Sequence, residues 1–165
     1  MHSEKIDPSS FSEDVCEFIR LLCQHTVRFL IVGGEAVIFY GHIRFTGDVD
    51  FFFDSSRDNV VRLHAALHEF WEGNIPGIAD FRELTEAGKI IQFGLPPNRI
   101  DLLNRIDGVA FADAWANRTP AIMDPGSGPI QFHYIGLEDL ARNKEASGRP
   151  KDEEDLRFLR CALKN

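Results

Sequence analysis

The segment "DVDFFFD", residues 48 to 54, sets two carboxylates, Asp48 and Asp50, two positions apart inside an apolar run. Side chains two apart on a strand share a face, so Asp48 and Asp50 project together while Val49 and Phe51 turn into the core. Like charges that close repel, and they are costly to desolvate unless they share a cation. A hard divalent ion that takes carboxylate and phosphate oxygens suits them, which makes magnesium the expected ion, with manganese as its substitute. A plainer reading has one aspartate begin the strand in solvent while the other pairs with an arginine such as Arg44. Upstream, Gly33 and Gly34 close the apolar run "RFLIVGG" and open a helical stretch. A helix start offers unpaired amides and the positive end of the helix dipole, and a missing side chain lets a phosphate come close. A tight turn uses the same two glycines. Together the glycines and the acids describe a phosphate cradle facing a metal pair across adjacent strands, the layout for moving a nucleotidyl group.

A third acid completes such a site. Asp101 in "RIDLL" is again a lone carboxylate in an apolar strand, and a hairpin can bring it beside Asp48 and Asp50. There it would help hold metal and take the proton from an attacking hydroxyl. A salt bridge to Arg99 or Arg105 is the alternative. Lys144 lies on the apolar stripe of Leu137, Leu140 and Ala141, so its amine needs an anion, either a phosphate or a core carboxylate. Arg149 and Lys151 follow a helix end, where cations are favoured in any case. Asp152, with Asp155 three residues on, is read as the cap of a final helix, and neither is expected to be catalytic. His64 and His68 have metal-compatible spacing without an HExxH context, and read as ordinary helix surface.

These residues need strands and helices to position them. Phe11, Val15, Phe18, Ile19 and Leu22 recur at helical spacing behind Ser10 and Glu13, which read as a capping box. A strand through "RFLIV", a helix through "EAVIFYGH" and a strand through "DVDFFF" follow. Next comes a helix capped by Ser55 or Ser56, with the stripe Val60, Leu63, His64, Leu67 and Trp71. "KIIQFGLPPNRIDLLNRI" reads as two strands joined by a Pro-Pro-Asn turn, then a short helix near residues 111 to 116 and a strand in "GPIQFHYI". Two helices close the chain, one over residues 137 to 146 and one from about 152.

The 165 residues suffice for one domain with a real core, about 1 to 135 forming the core and 136 to 165 the helical end. Acids outnumber bases 26 to 18, and the net charge of −8 disfavours broad attraction to nucleic acid or anionic membrane while leaving room for a local basic patch. No apolar stretch reaches membrane-helix length, and the first residues lack signal-peptide character. Cys16, Cys23 and Cys161 show no ligand spacing and read as reduced thiols. A cytoplasmic protein is expected.

An apolar residue, Gly33-Gly34, thirteen residues, then Asp48-Val49-Asp50 and Phe51 resembles the signature of the DNA polymerase beta-like nucleotidyltransferase superfamily. With Gly41, Arg44 and Thr46 ahead of the acids, "GGEAVIFYGHIRFTGDVDF" is similar to the small nucleotidyltransferases related to abortive-infection toxins. "LEDLARNKEASGRPKDEEDLRFL" looks like their helical segment. The resemblance implies an α+β fold, a mixed sheet flanked by helices with a C-terminal helical segment. It implies Asp48, Asp50 and Asp101 as metal ligands and catalytic acids, and Gly33, Gly34, Arg44, Thr46 and Lys144 as nucleotide contacts. It further implies a nucleoside triphosphate such as ATP as donor and pyrophosphate as leaving group. The acceptor hydroxyl belongs to a tRNA, a protein or a small molecule, and a cognate antitoxin or a homodimer is an expected partner. Phe51, Phe52 and Phe53 depart from the aliphatic residues more usual there. The other two readings are a non-catalytic nucleotide-binding or partner-regulating module on the same fold, and a metal-dependent phosphohydrolase.

Overall fold

The computed structural model describes residues 2–165. In chain order it contains β1 (Glu4–Ile6), α1 (Glu13–Gln24), β2 (Phe29–Val32), α2 (Gly33–Phe39), β3 (Asp48–Phe53) and α3 (Arg57–Phe70). β4 (Ile90–Phe93), β5 (Arg99–Leu103), α4 (Phe111–Ala116), β6 (Thr119–Met123), β7 (Ile130–Tyr134), α5 (Leu137–Ser147) and α6 (Glu153–Leu163) follow. The strands form one mixed seven-stranded sheet in the order β1-β6-β7-β2-β3-β5-β4. This is the expected α+β architecture, a mixed sheet flanked by helices and closed by a C-terminal helix pair.

Both faces of β3 are buried, which explains its run of phenylalanines. Phe51 is fully buried and meets Phe18 of α1 edge to face at 5.0 Å. Phe52, on the opposite face, meets Phe111 of α4 at 5.1 Å. A strand covered on both sides reads as a continuous apolar run rather than an alternating one. Only its first residues escape cover, and there Asp48 and Asp50 stand on the face opposite Val49 and Phe51.

Three local expectations change. Helix α1 is capped by Ser12, whose hydroxyl accepts from the Val15 amide at 3.2 Å; Ser10 instead ends a short 3-10 turn, Pro8–Ser10, capped by Asp7. Ser56 stands at the start of α3 without a capping side-chain bond, whereas Asn59, fully buried, does the fastening. Its amide group donates to the carbonyls of Arg28 (3.1 Å) and Asp54 (2.7 Å) and accepts from the Arg28 amide (2.7 Å), tying α3 to the ends of β2 and β3. Strands β1 and β6 have no counterpart in the sequence reading. β1 is three residues long, and β6 contains Pro120, a residue that argues against a strand. Pro120 is tolerated because β1 pairs only with Ala121 to Met123, so nothing on that side needs its missing amide hydrogen.

The Asn59 bonds set a test of the fold. Asn59→Ala strips three half-buried backbone groups of their partner and should lower stability by about 2 to 4 kcal/mol in a urea titration. An unshifted midpoint would mean that these strand ends are held by other contacts.

Candidate active site

Strand register brings the acids together. β3 and β5 run parallel with Asp50 opposite Asp101 and Asp48 opposite Arg99. Cross-strand neighbours on one face lie about 5 Å apart, so three carboxylates converge. One oxygen from each of Asp48, Asp50 and Asp101 lies within 4.8 Å of the others, a donor set that fits a hard divalent cation.

The convergence shows as electrostatic stress. The Asp50 carboxyl is pushed up to about 7, first by burial and then by the charges of Asp48 and Asp101. Glu35, in the first turn of α2, is likewise raised to about 7, by burial first and by Asp48 second. Arg99 relieves part of this. Its Nη2 donates to Asp48 Oδ2 at 2.8 Å, and its Nε and Nη2 donate to the two oxygens of Asp101 at 2.8 and 3.0 Å. Gln92 of β4 adds a bond to Asp101 Oδ2 at 3.3 Å. The Arg99 salt bridge offered by the sequence as an alternative to an acid cluster is therefore present together with the cluster. An arginine two residues from an aspartate on a strand shares its face, which is the signal that pointed to it.

The glycines sit against these acids for a geometric reason. Val32, the last residue of β2, pairs with Asp50, so the chain turns into α2 directly beside the carboxylates. Gly33 has φ 66°, and a Cβ there would overlap Asp50 Oδ2. Both its conformation and its neighbour exclude a side chain. A Cβ on Gly34 would come within 2.7 Å of Arg44 Nη1 and of Thr46 Oγ1. Bare backbone, guanidinium and hydroxyl thus meet at one point. Thr46 also donates from Oγ1 toward the Asp48 backbone carbonyl (3.2 Å) and Oδ1 (3.3 Å), tying the loop to the acid strand.

Lys144 reaches the same cavity but arrives with partners. Its amine, 4% exposed, donates to Asp152 Oδ1 at 2.9 Å and lies 3.2 Å from Asp155 Oδ2. The anions its apolar stripe demanded are core carboxylates. Asp152 does not cap α6 with its side chain. Burial alone would raise its carboxyl, but bonds from Lys144, Ser147 and Arg149 outweigh that and bring it down to about 2. Arg44 pairs with neither Asp48 nor Asp50; its carboxylate is Asp155, at 3.4 Å.

Apart from Glu35 and Asp155, these groups line one cavity of about 600 Å³, within the range of small-molecule sites. Six cations border it: Arg44, Arg99, Arg105, Lys144, Arg149 and Lys151. Five aspartates, Asp48, Asp50, Asp101, Asp107 and Asp152, border it as well, so cations concentrate here in a chain of net charge −8 without forming a purely basic surface. Among the described residues, Arg105 and Lys151 make no salt bridge, so their charges are unspent. No helix among the described residues is long and apolar enough to cross a membrane.

Comparison with known proteins adds two findings. The model of a family described as "Nucleotidyltransferase of unknown function (DUF6036)" matches residues 13–160, which includes every group named above. The chain is also similar to part of a proline–tRNA ligase from Paraburkholderia xenovorans (strain LB400), 30% identical over 133 residues. That match covers 76% of this chain and 19% of the ligase, so the chain spans about a fifth of the length of the curated relative it matches.

The raised Asp50 carboxyl predicts a pH signature. The folded protein holds this proton up to about pH 7 and the unfolded chain loses it near 3.8, so stability falls as pH rises between the two and stays lowered above 7. Without divalent metal, Asp50→Asn should be more stable than wild type at pH 8, by on the order of 2 kcal/mol. The advantage should vanish as pH drops toward 4. Thermal unfolding across this range reads it out, and a pH-independent difference would contradict the assignment.

Proposed function

The chain belongs to the DUF6036 family of nucleotidyltransferases, and from that premise we propose that it moves a nucleoside monophosphate from a nucleoside triphosphate to an acceptor hydroxyl, with release of pyrophosphate. The observation that carries this reading is the convergence of Asp48, Asp50 and Asp101 beside the bare turn at Gly33 and Gly34. Acids alone would bind a cation, and a glycine turn alone would bind an anion. Side by side they suit a metal-bound polyphosphate.

In this reading the start of α2, Arg44 and Thr46 take the phosphate oxygens, and the unspent charges of Arg105 and Lys151 draw the polyphosphate into the cavity. Lys144 contributes positive potential from behind Asp152 and Asp155 rather than a free amine. Asp48, Asp50 and Asp101 would hold magnesium, or manganese, which when bound neutralises the triphosphate and stabilises the attacking and leaving oxygens. Arg99 has to release Asp48 and Asp101 for that, and its side chain, 28% exposed, has a path to solvent. Asp101 then accepts the proton of the acceptor hydroxyl as its oxygen bonds to the α-phosphorus. The bond from that phosphorus to the bridging oxygen breaks, and its electrons leave with pyrophosphate. Until it releases them, Arg99 fixes the orientation of Asp48 and Asp101.

Acceptor candidates are a tRNA, a protein or a small molecule. The proline–tRNA ligase similarity and the unpaired Arg105 and Lys151 favour beginning with tRNA. A role as toxin beside an inhibitor, or as a dimer that shares its acceptor site, is compatible with this chemistry, as is a cytoplasmic setting. A nucleotide-binding module that does not transfer is the second reading, favoured by the Arg99 clamp on two of the three acids.

Thermal-shift titration with each of the four nucleoside triphosphates, with and without magnesium, tests the reading. Wild type should gain about 2.7 kcal/mol of apparent stability at a hundredfold excess over the dissociation constant, only with magnesium. Asp48→Asn should lose that gain while remaining folded. Gly34→Ala should lose it too, since the methyl group would displace Arg44 and Thr46. Stabilisation of Asp48→Asn equal to that of wild type would remove the metal-linked site. Release of inorganic phosphate in place of pyrophosphate would make the protein a phosphohydrolase.

A further inference from the structure

We infer that helix α6 acts as a positioning element for the anion cradle, with Asp155 as the positioning residue that holds Arg44 over the start of α2 and Phe158 as its support. The inference rests on the nucleotidyltransferase reading for its consequence, and on geometry for its substance.

Asp155 sits in the first turn of α6 with its side chain 3% exposed, yet it makes no capping bond. Two cations and an imidazole surround it. Oδ2 lies 3.2 Å from Lys144 Nζ and 3.4 Å from Arg44 Nη1, and Oδ1 lies 3.7 Å from His42 Nε2. Lys144 already has a closer carboxylate in Asp152, at 2.9 Å. Arg44 has no other carboxylate among the described residues. The charge on Asp155 is thus specifically needed by Arg44.

The pair is a poor stabilising device. Asp155 Oδ2 and Arg44 Nη1 are both buried without a hydrogen-bond partner, because they face each other at ion-pair distance with unfavourable alignment. A buried ion pair lacking good hydrogen bonds is commonly no better for stability than apolar packing. What it does instead is fix a place. Arg44 Nη1 is set where a Cβ on Gly34 would reach it at 2.7 Å, and with Nη1 so held the guanidinium borders the cavity beside the glycine turn.

The loop that carries Arg44 has little else to hold it. Residues 42–46 have no regular secondary structure, and the outward side chains Ile43 and Phe45 are 97% and 100% exposed. Its inward side chains are His42, Arg44 and Thr46. His42 packs on the Phe158 ring with centroids 4.8 Å apart, and Phe158 also lies beneath Gly41, 3.7 Å from where a Cβ would stand. Asp155 and Phe158 are three apart on α6 and therefore share a face, so one helix face grips the loop twice. Polyphosphate affinity thereby depends on a helix that need not touch the ligand.

The test compares wild type, Asp155→Asn, Arg44→Gln and the double variant by two measurements. Hydrogen exchange of the ligand-free protein should show residues 41–47 exchanging faster in Asp155→Asn, by roughly tenfold, with the sheet unchanged. Calorimetric binding of inorganic tripolyphosphate with magnesium should weaken about tenfold in Asp155→Asn, and Asp155→Asn should cost nothing further in the Arg44→Gln background. Unchanged exchange in a folded Asp155→Asn overturns the inference, and so does an equal affinity loss in both backgrounds. Should Asp155→Asn not fold, Phe158→Ala removes the second grip without touching a charge. Faster exchange across 41–47 then supports the role of α6 and unchanged exchange overturns it. Wild type that binds neither tripolyphosphate nor any nucleotide would instead count against the transferase reading, leaving exchange to decide the positioning role alone.

Discussion

Repulsion among Asp48, Asp50 and Asp101 is the constraint around which the rest of the site is arranged. Parallel pairing of β3 with β5 forces the three carboxylates within 4.8 Å of one another. Burial first and this repulsion second raise the Asp50 carboxyl. Each neighbour answers that stress. Arg99 lays a guanidinium across two of the acids, Thr46 directs its hydroxyl toward Asp48, and Gly33 withholds a side chain where Asp50 must fit. A fold selected for stability alone would place apolar residues here. Retaining all three acids, against their electrostatic cost, is the pattern of a functional site.

A second charge cluster stands behind the first and has the opposite character. Around Lys144, Asp152 and Asp155, which are almost wholly removed from water, cations and anions alternate at 2.7 to 3.4 Å. The front cluster carries an excess of negative charge that calls for a cation. The rear cluster is close to balanced, and its use is to join α5, α6 and the loop after α2 into one rigid backing for the cradle. Between the two lies a cavity bordered by six cations and five aspartates, so both signs of charge face it. Metal-bound polyphosphate carries both signs as well, which is why the two clusters read as halves of one site.

Much of this was legible from residue spacing. Strand periodicity put Asp48 and Asp50 on one face, a glycine pair marked the entry to α2, and Asp101 stood out as a lone charge in "RIDLL". The hairpin over β4 and β5 and the helix over residues 111 to 116 were equally visible, because turn residues and helical stripes are local signals. Strands β1 and β6 were not, since a three-residue strand carries no period and Pro120 is tolerated only through the short reach of β1. Ser12 rather than Ser10 caps α1 because the preceding residues wind into a 3-10 turn of their own. Asp152, with Asp155 three residues on, looked like the cap of the last helix because an acid at a helix start usually is one.

By itself, then, the sequence determined which chemistry this chain can hold: three carboxylates in apolar strands, a bare turn before a helix, and a lysine where a helix should be greasy. Those features follow from backbone periods of 2 and 3.6 residues, which any stretch of chain displays without its neighbours. Only the tertiary structure decided which charge meets which. Arg99 and Asp48 are 51 residues apart, and Arg44 finds Asp155 on the last helix rather than Asp48 or Asp50 beside it in sequence. Coulomb energy depends on distance in space, and strand order, register and the course of the loop after α2 set those distances.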